Sequence, residues 1–400
     1  MKILILGFGL TGRELYKYLV NKGEKEIYIT DKNKIEVENA MFLSIKDLYK
    51  SRLYFDICLR SPGIPIQSEM YLLASLLSKE VINDIEFSYR ELINRNIQYI
   101  CITGTNGKTT LTKFIGHCLS AIQDKSVYIV GNIGVPMCSI INDIEDDSIC
   151  VLELSSFQIE NLKYFKSDYS LITNISPNHL DVVLNYDFYK ASKLKLINHT
   201  KDLNNVFVED DILRKELNVK SILLNSHSFI NNKMLNKHYN FTFSFLAKLG
   251  YDISNELDII SSFKNERFRQ EEIVAKNILF INDSKSTNVE SLMNCLENYY
   301  DFKKRLIIIG GIYKSDLIEL VKRKKNDSIV TFGKDKDILF NKIHAEKSYN
   351  SLQEIFLNEQ LINYDIVIFS PACSSFDQYK NYIDRGLAFD KCVNEFKKKI

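Results

Sequence analysis

The sequence predicts an α/β protein of three domains, and three observations carry that prediction. Apolar strands alternate with helical patterns along most of the 400 residues, the arrangement that builds parallel sheets covered by helices. Glycine-rich turns follow the strands that end at Leu6 and Ile102. The remaining strands deliver clusters of polar residues at their carboxyl ends, where open α/β sheets bind ligands. Boundaries are expected near Arg95 and Phe263, giving segments 1–95, 96–263 and 264–400.

Composition narrows the class. A hydrophobic content of 45% is ample for several cores. Lys+Arg 52 against Asp+Glu 51 leaves a net charge of +1, so there is no electrostatic case for nucleic acid or an anionic membrane surface. None of the eight cysteines forms C-x-x-C; buried reduced thiols are expected, not a disulfide framework. The apolar start, Ile3–Leu6, is too short for a signal-peptide core, and no run reaches membrane-spanning length. A soluble, cytoplasmic, monomeric protein is expected.

In chain order, residues 2–6 read as a buried strand, followed by Gly7-Phe8-Gly9-Leu10-Thr11-Gly12 and a helix to about Lys22. A second strand, Glu26–Thr30, ends at Asp31. This is the G-x-G-x-x-G turn with an acid about 20 residues on, a Rossmann-like signature. A dinucleotide, another diphosphate or close packing would each account for it. A third strand, Phe55–Leu59, runs into the rigid loop Ser61–Pro65, and a polar helix, Asp84–Asn94, closes the segment.

The central segment opens on Tyr99-Ile100-Cys101-Ile102, then Thr103-Gly104-Thr105-Asn106-Gly107-Lys108-Thr109-Thr110, then a helix with Leu111, Phe114, Ile115, Cys118 and Leu119 on one face. Strand, glycine turn, Lys-Thr and helix form a phosphate-binding loop in its proper context, so this domain is expected to be P-loop ATPase-like. Lys108 would reach the outer phosphates and Thr109 would offer a hydroxyl to Mg²⁺. Strands 127–130, 149–152 and 170–174 follow, ending in Gly131–Pro136, Glu153–Gln158 and Ile175–Asp181. Glu153 stands where a Walker-B acid would stand. His179 lies in a polar strand-end loop and could be structural or functional. On the helix Tyr186–Ile197, Tyr189 and Lys193 share a face; by context alone Lys193 belongs to a solvated surface. Short strands at 206–208 and 221–224, a polar loop over 225–236 and a helix over 241–249 complete the segment.

From Lys264 the strand–helix alternation resumes, with strands at 278–281, 305–309, 328–332 and 365–369. Lys285 and Lys314 sit at strand ends, either to steer anionic groups or as ordinary surface lysines. The last strand ends in Ser370-Pro371-Ala372-Cys373-Ser374-Ser375-Phe376-Asp377-Gln378-Tyr379. A second Rossmann-like domain is expected here.

Taken in order, Gly104–Thr110, Gly131–Gly134, Leu152–Gln158, Asn282-Asp283-Ser284-Lys285-Ser286-Thr287-Asn288 and Ser370–Tyr382 resemble the Mur ligases of peptidoglycan synthesis over nearly the whole chain. The run Ser370–Tyr379 with Arg385-Gly386 is similar to the D-glutamate-adding branch, and the Asp-Asn-Pro-Arg of the diamino-acid branch is absent. The resemblance implies an ATP-dependent ligase that joins D-glutamate to UDP-N-acetylmuramoyl-L-alanine through an acyl phosphate. It implies that the first glycine turn holds a UDP diphosphate, with Leu10, Thr11, Asp31, Lys32 and Ser61. Asn132, Ser155 and His179 would face the muramoyl-alanine end. Gly104 to Thr110, Arg269 (or Arg267) and Asp283 would hold ATP. Lys285, Thr287, Lys314, Ser375 and Tyr382 would hold D-glutamate. Two Mg²⁺ sites are implied, from Thr109, Glu153, His179 and a carbamylated Lys193. Departures from the family pattern fall at Val182, Phe243, Ile312 and Tyr382. Two alternatives are a folylpolyglutamate synthase-like ligase with another amino acid, and a nucleotide-dependent binding module.

Overall fold

The first strand, β1 (Lys2–Leu6), is buried from Ile3 onward, as a run of branched apolar residues covered on both faces must be;. The computed structural model describes residues 1–176, 186–220, 222, 229, 233–313, 318, 321 and 323–398. It divides into two units, residues 1–226 with 237–263 and residues 227–236 with 264–400. The first unit holds two sheets and the second holds one.

In the first sheet β1 is followed by α1 (Leu10–Asn21), β2 (Glu26–Thr30), β3 (Met41–Phe42), α2 (Ile45–Lys50), β4 (Ile57–Arg60), α3 (Glu69–Leu76), β5 (Val81–Asn83) and α4 (Asp84–Glu91). The strands are parallel in the order β3-β2-β1-β4-β5. The order reverses beside β1, so the turn after β1 and the loop after β4 face each other at the switch point.

The helix expected over 84–94 is shorter and is not a solvated polar helix. Asp84, Ile85, Glu86, Phe87 and Ser88 are all buried. The N–H groups of Lys163, Tyr164 and Phe165 donate to the Glu86 carboxylate at 2.9–3.1 Å, and Arg90 Nε donates to it at 2.8 Å. Polarity here serves tertiary hydrogen bonds, which a sequence pattern cannot distinguish from exposure.

Burial pushes the Asp84 carboxyl up to about 6, against the Gln158 amide and nearby backbone N–H groups that pull it down;. A folded-state value above the unfolded one of 3.8 means that the folded protein holds the proton longer. Stability is therefore full below about pH 4 and falls as pH rises through about 6, by up to about 3 kcal/mol at about 1.4 kcal/mol per unit. Asp84→Asn should be more stable than the parent at pH 8, with little difference at pH 4. Melting temperatures of both proteins across that range check this; a gap that stays flat or narrows toward pH 8 contradicts it.

The second sheet comprises β6 (Ile97–Thr103), α5 (Lys108–Ile122), β7 (Val127–Gly131), β8 (Ser148–Glu153), α6 (Ser156–Ile159), β9 (Tyr169–Ile172), α7 (Tyr186–Asn198), β10 (Val206–Val208), α8 (Asp211–Glu216), α9 (Lys233–Lys248) and α10 (Glu256–Ser262). Its order is β10-β9-β6-β8-β7, all parallel. The expected strand over 221–224 lies outside the described residues except at 222. The expected helix over 241–249 begins earlier, at Lys233, and takes up the end of the expected loop. One apolar cluster runs through both sheets, from Ile3 and Ile29 through Ile85 and Phe87 to Tyr99, Leu152 and Phe165.

The second unit contains β11 (Glu271–Ala275), β12 (Ile278–Asn282), α11 (Val289–Asn298), β13 (Arg305–Gly310), β14 (Asp327–Phe332), α12 (Lys336–Ile343), β15 (Lys347–Tyr349), α13 (Leu352–Asn358), β16 (Ile366–Phe369) and α14 (Tyr382–Lys398). The order is β11-β12-β16-β13-β14-β15, with only β11 antiparallel. The carboxyl ends of β12, β16 and β13 are thus neighbours. All eight cysteines are buried free thiols. Among the described residues no helix is long and apolar enough to cross a membrane.

Candidate active site

The turn between β6 and α5 has the backbone that a phosphate cradle requires. Gly107, at φ 81°, caps α5 in the left-handed region, and Gly104 has φ 146° with Thr173 and Asn174 packed where a Cβ would stand;. The segment after β9 braces it. Thr105 N donates to Asn174 O (2.7 Å), Asn106 N to Asn174 Oδ1 (3.0 Å), and Thr173 Oγ1 to Asn106 O (2.7 Å). Lys108 Nζ donates to Gly104 O (3.0 Å) and Thr105 O (2.9 Å). The α5 N-terminus adds a dipole of the sign an anion needs, and Thr109 and Thr110 open its first turn.

Two strand ends bring further groups to this place. Register pairs Ile102 with Glu153 across β6 and β8, so the acid stands beside the start of the loop. Glu153 is 2% exposed; Asn132 Nδ2 donates to its Oε1 (3.0 Å), and Oε2 has no hydrogen-bond partner among the described residues. Ser155 caps α6, accepting from Gln158 N at 3.3 Å. Lys193 on α7 is 2% exposed, against the solvated face that its context alone suggests. Its Nζ lies over the Tyr189 ring at 4.7 Å from the centroid. Burial, and then the neighbouring Lys108, hold its amine well below the usual lysine range, while Glu153 pulls it back up;. Lys108, Glu153 and Lys193 are therefore electrostatic neighbours. His179 lies outside the described residues.

Around the first glycine turn, Phe8 N and Asn33 N donate to the two oxygens of Asp31, at 2.7 and 3.0 Å. Ser61 Oγ donates to Gly7 O at 2.7 Å. Asp31 and Ser61 are thus joined through the turn's backbone; Leu10 and Lys32 are exposed beside it, and Thr11 is half-buried.

In the second unit, Asp283 follows β12 and accepts from Ser370 Oγ at 2.8 Å. Burial pushes its carboxyl up to about 7, against Ser370 and Arg269. Arg269 pairs with Glu266 (2.8 Å) within electrostatic reach of Asp283. Arg267 instead pairs with Asp390 (2.5 Å) and Glu271 (3.4 Å). Lys285 Nζ lies 3.9 Å from the Tyr382 ring centroid. Ser375 is buried and Thr287 exposed. Lys314 lies outside the described residues.

Sequence reasoning missed Asn174 and Thr173, which brace the loop. The position of Asn174 at the end of the expected strand 170–174 was the available signal. The orphaned Glu153 oxygen and the Thr109 hydroxyl are hard donors and fit Mg²⁺ carried in with nucleotide phosphates;. Among the described residues no three His, Cys, Asp or Glu side chains converge on a point.

Comparison with known proteins gives this geometry a family. The model of the Mur ligase middle domain matches residues 102–258, and that of the MurD N-terminal domain matches residues 2–70. A UDP-N-acetylmuramoylalanine--D-glutamate ligase of Francisella philomiragia is 30% identical, covering 99% of this chain and 97% of its own. The protein of the same name from Natranaerobius thermophilus is 30% identical, covering 98% and 97%. The crystal structure of MurF ligase from Thermotoga maritima in complex with ADP shares the fold, with a TM-score of 0.63 at 15% identity over 98% of this chain and 95% of that one. The chain belongs to the Mur ligase family, among the UDP-N-acetylmuramoylalanine--D-glutamate ligases.

Proposed function

We propose that this protein is an ATP-dependent carbon–nitrogen ligase that adds D-glutamate to UDP-N-acetylmuramoyl-L-alanine in peptidoglycan precursor synthesis. The observation that carries this is the phosphate loop with the buried Glu153 at the adjoining strand end and the buried Lys193 of α7 as their electrostatic neighbour, in a chain related over its full length to such ligases. A carboxylate resists amines, so its oxygen first attacks the γ-phosphorus of ATP and the bond to ADP breaks. The D-glutamate amine then attacks the acyl carbon, loses a proton, and phosphate leaves. Lys108 and the loop N–H groups would hold the γ-phosphoryl and oppose its growing charge. Mg²⁺, when bound through Thr109 and Glu153, supplies further neutralisation of the phosphates.

Residue roles within this reading follow the three sheets, with domain limits at 95 and 263. Gly104 to Thr110, Arg269 and Asp283 would bind ATP. Leu10, Thr11, Asp31, Lys32, Ser61, Asn132, Ser155 and His179 would bind the UDP-sugar. Lys285, Thr287, Lys314, Ser375 and Tyr382 would bind D-glutamate. Lys193, its amine held well below the usual lysine range by burial, would add to CO₂ and release a proton to solvent, and the carbamate with His179 would serve a second Mg²⁺. The enzyme would work as a cytoplasmic monomer.

A panel of amino acids supplied with ATP and the UDP-sugar tests the assignment by product mass. D-glutamate alone should give a conjugate; a conjugate with another amino acid, or glutamate added to a folate, would favour the alternative ligase. Ser375→Ala should weaken D-glutamate use roughly 10- to 100-fold, as loss of one hydrogen bond to a charged carboxylate costs about 1.5–3 kcal/mol. If the KM for D-glutamate holds while that for ATP rises, Ser375 has another role.

A further inference from the structure

Arg385, on α14, is fully buried. Its Nε donates to Ser284 Oγ (3.1 Å) and its Nη2 to Ser284 O (2.7 Å). Its Nη1 donates to Cys373 O (2.9 Å) and, at the long limit, to Gly310 O (3.4 Å). These acceptors belong to the segments leaving β12, β16 and β13, which are adjacent in the sheet. Ser284 Oγ also donates to Tyr382 O at 2.8 Å. Packing around the head group is close: Gly311 has φ +127°, and a Cβ there would stand against Ser374 O and 3.2 Å from Arg385 Nη1.

Each of these acceptors is a neutral oxygen, and among the described residues Arg385 forms no ion pair. Burial lowers its pKa to about 10, so it stays charged at neutral pH. An unpaired buried guanidinium is a costly way to fill a core, and an apolar side chain would often serve stability as well. What the guanidinium alone supplies is a planar fork of donors that can bind several backbones at once.

We propose that Arg385 is the positioning residue of the amino-acid site, fixing three strand-end loops so that Lys285, Thr287, Ser375 and Tyr382 present one geometry to a dicarboxylic amino acid. This rests on the function proposed above. Lysine at 385 keeps the charge but cannot reach all three loops. In Arg385→Lys the KM for D-glutamate should rise tenfold or more, with the KM values for ATP and the UDP-sugar within twofold of the parent. Ser284→Ala is the milder variant: it removes the hydroxyl that joins Arg385 to Tyr382 and leaves the backbone contacts. It should raise the D-glutamate KM about threefold and stay folded. An unchanged D-glutamate KM in both variants, or equal rises in all three KM values, would overturn the proposal. If Arg385→Lys does not fold, Ser284→Ala decides by the same readout. A parent enzyme that releases no ADP with D-glutamate removes the function itself and this inference with it; an active parent with unmoved variants removes the inference alone.

Discussion

Lys108→Ala is expected to abolish useful ligase activity while leaving the protein folded. The Nζ of Lys108 sits over the mouth of the phosphate loop, on the carbonyls of Gly104 and Thr105. Removing one preorganised group that meets charge in the transition state lowers kcat by about 10²–10³-fold. The structural cost is smaller. Two charge-assisted hydrogen bonds at a half-buried site are lost, and the loop keeps its bonds to Thr173 and Asn174. A melting temperature within a few degrees of the parent, with ADP formation near background, is the expected pair of results. Parental turnover in the purified variant would remove Lys108 from the chemistry.

Lys193→Ala is expected to be nearly inactive and partly restored by acetate or formate. A buried ammonium beside Lys108 is disfavoured twice, by desolvation and by like charge;. A carbamate reverses that sign and offers two hard oxygens, as Mg²⁺ prefers. The alanine variant leaves a space that a small carboxylate can enter, whereas Lys193→Arg fills it with a fixed positive charge and should be inactive with or without the additive. The comparison of the two variants in the presence of formate carries the test. An active alanine variant, or rescue of the arginine variant, would contradict an anionic role for position 193.

Legibility in the sequence tracked the range of the interactions involved. The phosphate loop could be read because its glycines, Lys108 and the α5 pattern are consecutive, and local sterics determine their geometry. Glu153 could be read from four apolar residues and an abrupt acid. Lys193 could not be placed from its own neighbours: periodicity gives a face, and which face α7 buries depends on Tyr189 and on the sheet beneath. The α4 segment misled for the opposite reason, since the partners of Glu86 lie at Lys163–Phe165, far along the chain. The antiparallel β11 went unseen because edge strands of alternating exposure leave little mark in a chain read as parallel. Arg385 appeared in a motif, yet its task depends on three loops that only the sheet order brings together.

The most direct measurement is ADP release by the purified protein with ATP, Mg²⁺, UDP-N-acetylmuramoyl-L-alanine and D-glutamate, and with each substrate omitted in turn. ADP equal to the amide product is expected in the complete mixture, and little when either the UDP-sugar or D-glutamate is left out. ADP released at the same rate without either substrate, or an amide formed equally well from a different amino acid, would contradict the proposed function.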